Sequence, residues 1–256
     1  MRPWWDWITW VNWCGRLPRE VGAIVVAGGR GTRFGSETPK QFLSIGGIPM
    51  VLRALRPFAS QRDIRHVVLV LPPAFAARPP DFLRHLTSAA GSAPPSSATL
   101  TIVPGGAHRG DSVRAGISAL PPECTIVLVH DGARPFVDHR TIDAVIECVR
   151  QGEAAVPAVP LSDTLKEAAA DDPMHVCRTR PRARLWRAQT PQGFPRQVLE
   201  EAHARAARLG RRATDDAALV EAMGFPVRLV PGFQANIKIT TAEDFALAEL
   251  LAGTAG

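Results

Sequence analysis

From Val21 onward, short continuous apolar runs alternate with segments whose apolar residues recur at helical spacing. GAIVVAGG (22–29), HVVLVLP (66–72), TLTIVPGG (99–106), TIVLVHDGARP (125–135) and AAVPAVP (154–160) each carry an apolar stretch closed by glycine, proline or a polar loop. Apolar runs of this length without alternation suit strands buried on both faces, as in parallel sheets. Between them the spacing predicts helices over roughly 49–60, 80–88, 108–120 and 141–151, with a Ser/Pro/Ala loop at 89–98. Strands and helices in this alternation indicate βαβ units, hence an α/β fold with an open, mostly parallel sheet flanked by helices.

The rhythm breaks at 161–190, where SDTLKE, an Ala/Asp-Pro turn region and the basic run RTRPRARLWR follow one another. An insertion or β-arm fits this stretch better than another βα unit. Beyond PQGFP (191–195), helices are expected at 195–209 and 215–223, short strands at FPVRLV (225–230) and NIKIT (236–240), and a closing helix at 242–251. The start of the chain is different again. Five of the six tryptophans fall in MRPWWDWITWVNW. Asp6 and Asn12 interrupt the apolar run and no small-residue cleavage site follows, so residues 1–20 read as an extension outside the fold rather than a secretory signal. The folded unit is expected over 21–256.

Composition narrows the class. The 256 residues carry a net charge of +6, and 46% are hydrophobic, values typical of a globular protein. No apolar run is long enough for a membrane span. The four cysteines are scattered without a CxxC pair, which argues against a zinc ribbon or disulfide scaffold and suits a reducing, cytoplasmic setting. Three of the 30 basic residues are lysines, Lys40, Lys166 and Lys238. In an arginine-rich chain, these mark positions where a compact ammonium can matter more than a planar fork.

In an open α/β sheet, ligands sit beyond the carboxyl ends of the strands, so the loops after the apolar runs are the candidate chemistry. GGRGTRFGSETPK (28–40) fails the strict dinucleotide fingerprint, because Phe34 stands where the third glycine belongs. It also fails the Walker pattern, since Lys40 is flanked by Pro39 and Gln41. What remains is a glycine-rich turn with Arg30, Arg33 and Lys40, a phosphate cradle in general terms. In HDGARP, Asp131 at a strand end is a candidate Mg²⁺ ligand, because Mg²⁺ takes one or two carboxylates plus substrate phosphates. His130 is expected to be structural, since its side chain points away from that of Asp131. GGAHRGDSV (105–113) brings Arg109 and Ser112 to a helix start, a second anion-favouring place. Arg178, Arg180, Arg182 and Arg184 alternate and Arg187 follows them; this is one short basic segment with no interleaved aromatic beyond Trp186, and no nucleic-acid partner is expected.

Together, AGGRGTRFG, PKQFLSIGG, GGAHRGDSV, LVHDGARPF, SDTLKE, RLWRAQTPQGF, ATDDA and NIKIT resemble the 2-C-methyl-D-erythritol 4-phosphate cytidylyltransferase family, in that family's order and across about 22–252. The resemblance implies a single Rossmann-like domain with a protruding β-arm at about 162–187 used in dimerisation. It implies a Mg²⁺-dependent reaction in which the acceptor phosphate attacks the α-phosphorus of CTP. By the same resemblance, Arg33, Lys40, Arg182 and Lys238 are the catalytic set. Ala27, Gly28, Gly29, Gly106, Ser112 and Asp131 would bind CTP, with Asp131 also the metal carboxylate. Arg134, Thr164 and Thr190 would contact the sugar-alcohol phosphate, and Thr164 and Arg182 would serve a neighbouring subunit's site in a homodimer. The residue before Asn236, often acidic in the family, is Ala235 here. Some members continue into a downstream cyclase. With the sequence ending at Gly256, none is expected. The alternatives are a cytidylyltransferase for another acceptor such as ribitol 5-phosphate, a non-catalytic nucleotide-binding protein, and a nucleic-acid-binding module.

Overall fold

The computed structural model describes residues 20–29, 39–83 and 98–253. The Trp-rich extension, most of the glycine-rich loop including Arg30 and Arg33, and most of the helix expected at 80–88 lie outside the described residues. Of that helix, 81–83 are helical.

The first apolar run forms β1 (Glu20–Val26), and it is central. It pairs in parallel with β4 (Ile64–Leu71) on one side and β6 (Cys124–Asp131) on the other. β5 (Thr99–Pro104) extends the sheet beyond β4, again in parallel. Past β6 come β11 (Gln192–Pro195), antiparallel to β6, and β7 (Ala154–Pro160), which also takes β10 (Trp186–Ala188) antiparallel and β12 (Val227–Pro231) parallel. The strands therefore form one eight-stranded sheet, and its order reverses direction at β1, the place where α/β sheets open a crevice. The expected α/β, mostly parallel sheet is what forms. A hairpin of two two-residue strands, β2 (Ser44–Ile45) and β3 (Ile48–Pro49), lies apart from it.

Alternation along the strands decides which helices cover each face. Val21, Ala23 and Val25 of β1 pack with α1 (Met50–Ala59) and α4 (His139–Arg150) in one core cluster. Ile24 faces the other way, among residues of α3 (Arg109–Ala119), α5 (Arg196–Arg208) and α6 (Asp216–Glu221). The short α2 (Pro73–Ala77) follows β4, and α7 (Ala242–Gly253) closes the chain.

Two expectations change. NIKIT is not a strand: 236–240 run without regular structure. Their bonds go to loops instead, with Ile239 N–H donating to Ala133 O (2.8 Å) and the buried Asn236 Nδ2 to Thr190 O (2.9 Å). QGFP, assigned no element from sequence, is β11, wedged between β6 and β7. Gly193 permits this, because a Cβ there would lie 2.4 Å from Val145 Cγ1 and 2.9 Å from Val149 Cγ2.

The irregular stretch is an exposed hairpin. β8 (Leu165–Ala168) and β9 (Val176–Arg180) pair antiparallel in a sheet of their own. Cross-strand polar pairs hold it, with Arg178 and Arg180 both on Glu167 and Lys166 Nζ donating to Thr179 Oγ1 (2.9 Å). Leu165, Met174, Val176, Leu185 and Trp186 are exposed along or beside it.

Candidate active site

A cavity of about 780 Å³ opens at the carboxyl ends of β1, β4, β5 and β6. This volume is of small-molecule size. Its walls are the loops that follow the strands: Val26–Gly29 after β1, Pro72 and Pro73 after β4, Gly105–Arg109 after β5, and Asp131–Ala133 ending β6. Backbone bonds tie these loops together, from Ala27 N to Val70 O (2.8 Å), Gly105 N to Leu71 O (2.7 Å) and Gly132 N to Val26 O (2.9 Å). The buried Gln41 clamps the first loop, its Nε2 donating to Ala27 O (3.0 Å) and Gly29 O (3.3 Å). Ser112, also buried, accepts from Gly106 N–H (3.2 Å) and holds the turn before α3.

Two lysines from opposite parts of the chain close the cavity. Lys40 begins a 3₁₀ turn after Pro39 and donates through Nζ to Ile239 O (2.8 Å). One residue before Ile239, Lys238 sends its Nζ to Asp131 Oδ2 (2.7 Å). The irregular path of 236–240 thus brings one lysine into the cavity and tethers the other.

Asp131 is paired on both oxygens, since Arg109 Nε donates to Oδ1 at 3.2 Å. Burial alone would raise its pKa. Arg109 and Lys238 overcome that, and Asp131 is held well below the usual carboxylate range, so it is ionised at neutral pH. Arg109 therefore is not the open anion site expected from its place at a helix start. Its guanidinium joins Asp131 to Asp216, whose Oδ2 is 2.7 Å from Nη1.

The structure brings Ala27, Gly28, Gly29, Lys40, Gly106, Ser112, Asp131 and Lys238 together on the cavity wall. Arg33 lies outside the described residues. Thr190 is buried behind Asp131 and does not itself line the cavity; its hydroxyl accepts from Asp131 N–H (3.1 Å) and meets His130 Nδ1 (2.9 Å). Arg134 directs Nη1 to Asn236 O (2.7 Å) and Nη2 to Ala188 O (3.3 Å), joining the arm's base to the 236–240 segment. Thr190 and Arg134, expected to contact the acceptor, thus also brace the frame around the cavity. Thr164 and Arg182 are exposed on the arm and do not line this cavity, and Arg182 donates to Ser162 O. His130 is fully buried against Phe58, as expected of a structural residue, and burial lowers its pKa to about 4.

Sequence reasoning missed Gln41, Gln192, Asn236, His203 and Asp216. PKQF, PQGF, NIKIT and ATDDA carried the signal for four of them, but a buried amide or carboxylate takes its meaning from partners far along the chain. Among the described residues, no group of three or more His, Cys, Asp or Glu is arranged to hold a metal. No described helix is long and apolar enough to cross a membrane.

The family profile described as 2-C-methyl-D-erythritol 4-phosphate cytidylyltransferase (IspD) matches residues 21–253. A protein of that name from Streptomyces coelicolor is 45% identical over 240 residues, covering 92% of this chain and 86% of its own length. A bifunctional IspD/IspF enzyme from Desulforudis audaxviator is 46% identical over 232 residues, covering 90% of this chain and 56% of its own. Among solved structures, the cytidylyltransferase of that name from Thermus thermophilus superposes with a TM-score of 0.71 at 38% identity, covering 91% of this chain and 99% of that one.

Proposed function

The chain belongs to the 2-C-methyl-D-erythritol 4-phosphate cytidylyltransferase family, and we propose that the cavity at the ends of β1, β4, β5 and β6 is where it carries out that family's transfer. The enzyme is a CTP-dependent nucleotidyltransferase of isoprenoid precursor biosynthesis. It joins the cytidylyl group of CTP to 2-C-methyl-D-erythritol 4-phosphate, giving 4-diphosphocytidyl-2-C-methyl-D-erythritol and pyrophosphate.

The observation that carries the site assignment is the convergence of Lys40 and Lys238 on one cavity walled by glycine-rich strand-end loops. An oxygen of the acceptor phosphate attacks the α-phosphorus in line, the α–β bridging bond breaks, and pyrophosphate leaves with that electron pair. Such reactions depend on positioning and on charge stabilisation more than on a protein nucleophile. Lys40 and Lys238 supply compact positive charge beside the phosphates, and Arg33 joins them in our reading. Backbone around Gly28, Gly29 and Gly106 lets the nucleotide approach closely, with Ser112 fixing the last of these.

Asp131 fits a Mg²⁺ role by its chemistry. It is an ionised carboxylate facing the cavity, and each oxygen retains a lone pair beyond its cationic partner. Bound there with the triphosphate, Mg²⁺ would neutralise charge on the phosphates.

The arm supports a homodimer. Thr164 and Arg182 lie outside their own chain's cavity, and the hairpin exposes apolar residues that a second copy would cover. In that arrangement they serve the acceptor phosphate in the partner's site. The unpaired thiols among the described residues, Cys124, Cys148 and Cys177, suit a cytoplasmic enzyme.

The test is pyrophosphate release from CTP and Mg²⁺ with either methylerythritol phosphate or ribitol 5-phosphate. Release with the first alone is expected. Equal or greater release with the second would overturn the acceptor, and none with either would overturn the reaction.

A further inference from the structure

Behind the cavity wall lies a chain of charges that the transfer as described does not use. Asp216, the first residue of α6, is 1% exposed. Its Oδ1 is 2.9 Å from Nε2 of the equally buried His203, and its Oδ2 is 2.7 Å from Arg109 Nη1. A carboxylate that deep persists only with partners that match it.

Its place is fixed from several sides. Gln192 of β11 accepts through Oε1 from the N–H groups of Asp216 (3.2 Å) and Ala217 (3.0 Å). Nε2 of the same amide donates to Asp215 Oδ2 (2.7 Å), while Asp215 Oδ1 accepts from Ala218 N–H (3.0 Å). Asp216 is thereby locked to the sheet through β11 and to α5 through His203.

Arg109 is the link from this frame to the cavity. Burial disfavours its charge, and Asp216 first, then Asp131, more than offset that. Arg109 and Asp131 line the cavity, whereas Asp216 and His203 do not. Without the Asp216 carboxylate, the guanidinium would either close fully on Asp131 or swing into the cavity towards a nucleotide phosphate. Either movement changes how Asp131 meets Lys238.

We propose that Asp216 is a positioning residue for the transfer: its buried carboxylate holds the Arg109 guanidinium beside Asp131 Oδ1, and so fixes the orientation in which Asp131 presents Oδ2 to Lys238. The proposal rests on the cytidylyltransferase reading above. It assigns Asp216 no contact with substrate, and its whole effect passes through Arg109.

The experiment is a double-mutant cycle in the full-length enzyme, reading kcat and KM for CTP by pyrophosphate release, with thermal unfolding as the control for folding. Misplacement of a site group by about 1 Å costs up to about 100-fold in rate. Asp216→Asn and Arg109→Gln are each expected to lower kcat by about 10- to 100-fold with KM for CTP changed less than about threefold. The double variant is expected to match Arg109→Gln, because Asp216 has nothing to position once the guanidinium is gone. Asp216→Asn leaves Arg109 with one fewer carboxylate, so two variants cover the case in which it fails to fold. The double variant removes both charges, and Asp216→Glu keeps the charge but displaces it. Asp216→Glu should fold and still lose at least about tenfold in kcat. Wild-type kcat in Asp216→Glu, or losses that multiply in the double variant, would overturn the proposal. Wild-type protein that releases no pyrophosphate would instead overturn the reaction itself.

Discussion

Acidification should weaken this fold through one residue whose effect can be calculated. His130 is fully buried, its ring 4.9 Å from that of Phe58. Nε2 lies 3.0 Å from Arg134 O, an acceptor, so Nε2 carries the proton. Nδ1 is then free to accept from the Thr190 hydroxyl, whose oxygen accepts in turn from Asp131 N–H. With neutral imidazole every group in this chain of bonds is satisfied. A proton on Nδ1 would set two donors on the Thr190 oxygen and take away the acceptor of its hydroxyl hydrogen. Burial lowers the pKa from 6.5 to about 4. The unfolded chain therefore binds the extra proton first, so the contribution is complete above 6.5 and is lost as pH falls towards 4. Full loss corresponds to about 3 kcal/mol, with about 2 kcal/mol gone by pH 5. Urea unfolding followed by circular dichroism, at about pH 7.5 and about pH 5, measures this in wild type and His130→Gln. The variant starts less stable, but its loss between the two pH values should be smaller by about 2 kcal/mol. Parallel losses in the two proteins would refute the assignment of a neutral, depressed His130.

Lys40→Ala and Lys238→Ala should each lower kcat by about 100- to 1000-fold while the protein stays folded, and arginine at either position should not restore it, because a planar fork does not replace a compact ammonium. Steady-state kinetics with circular dichroism check both points. Mixing Lys40→Ala with Arg182→Ala after subunit exchange should restore on the order of a quarter of wild-type activity, since random hybrids carry one complete site. No recovery, with exchange confirmed by native mass spectrometry, would remove the shared site. Gly132→Ala places a Cβ 2.9 Å from Ala27 Cβ and 3.2 Å from Val26 O, so the β1 and β6 loops must part. KM for CTP should rise about tenfold, consistent with overpacking strain of about 1–3 kcal/mol.

The apolar runs made the sheet legible, because strands buried on both faces carry their own signal. β1, β4, β5, β6 and β7 lie where continuous hydrophobic stretches stand in the sequence. β11 did not show, since QGFP has no apolar run and takes its strand state from the slot between β6 and β7. NIKIT read as a strand by composition, yet its backbone bonds go to Ala133, Arg134 and Lys40 in place of a ladder. The site was legible wherever a motif follows a strand, as with Gly28, Gly106 and Asp131. Thr190 and Arg134 sat in recognisable motifs, but which of a residue's neighbours consume its hydrogen bonds is a tertiary fact. Asp216 was hidden for the same reason, its partners standing 13 residues away at His203 and far upstream at Arg109.

Phosphorus NMR of the product mixture shows whether this cavity moves a cytidylyl group. Wild-type protein with CTP, Mg²⁺ and methylerythritol phosphate should give a new diphosphodiester and pyrophosphate in equal amounts, and folded Lys238→Ala should give neither at a comparable rate. Unchanged CTP with the wild-type protein, or equal product from Lys238→Ala, would contradict the account.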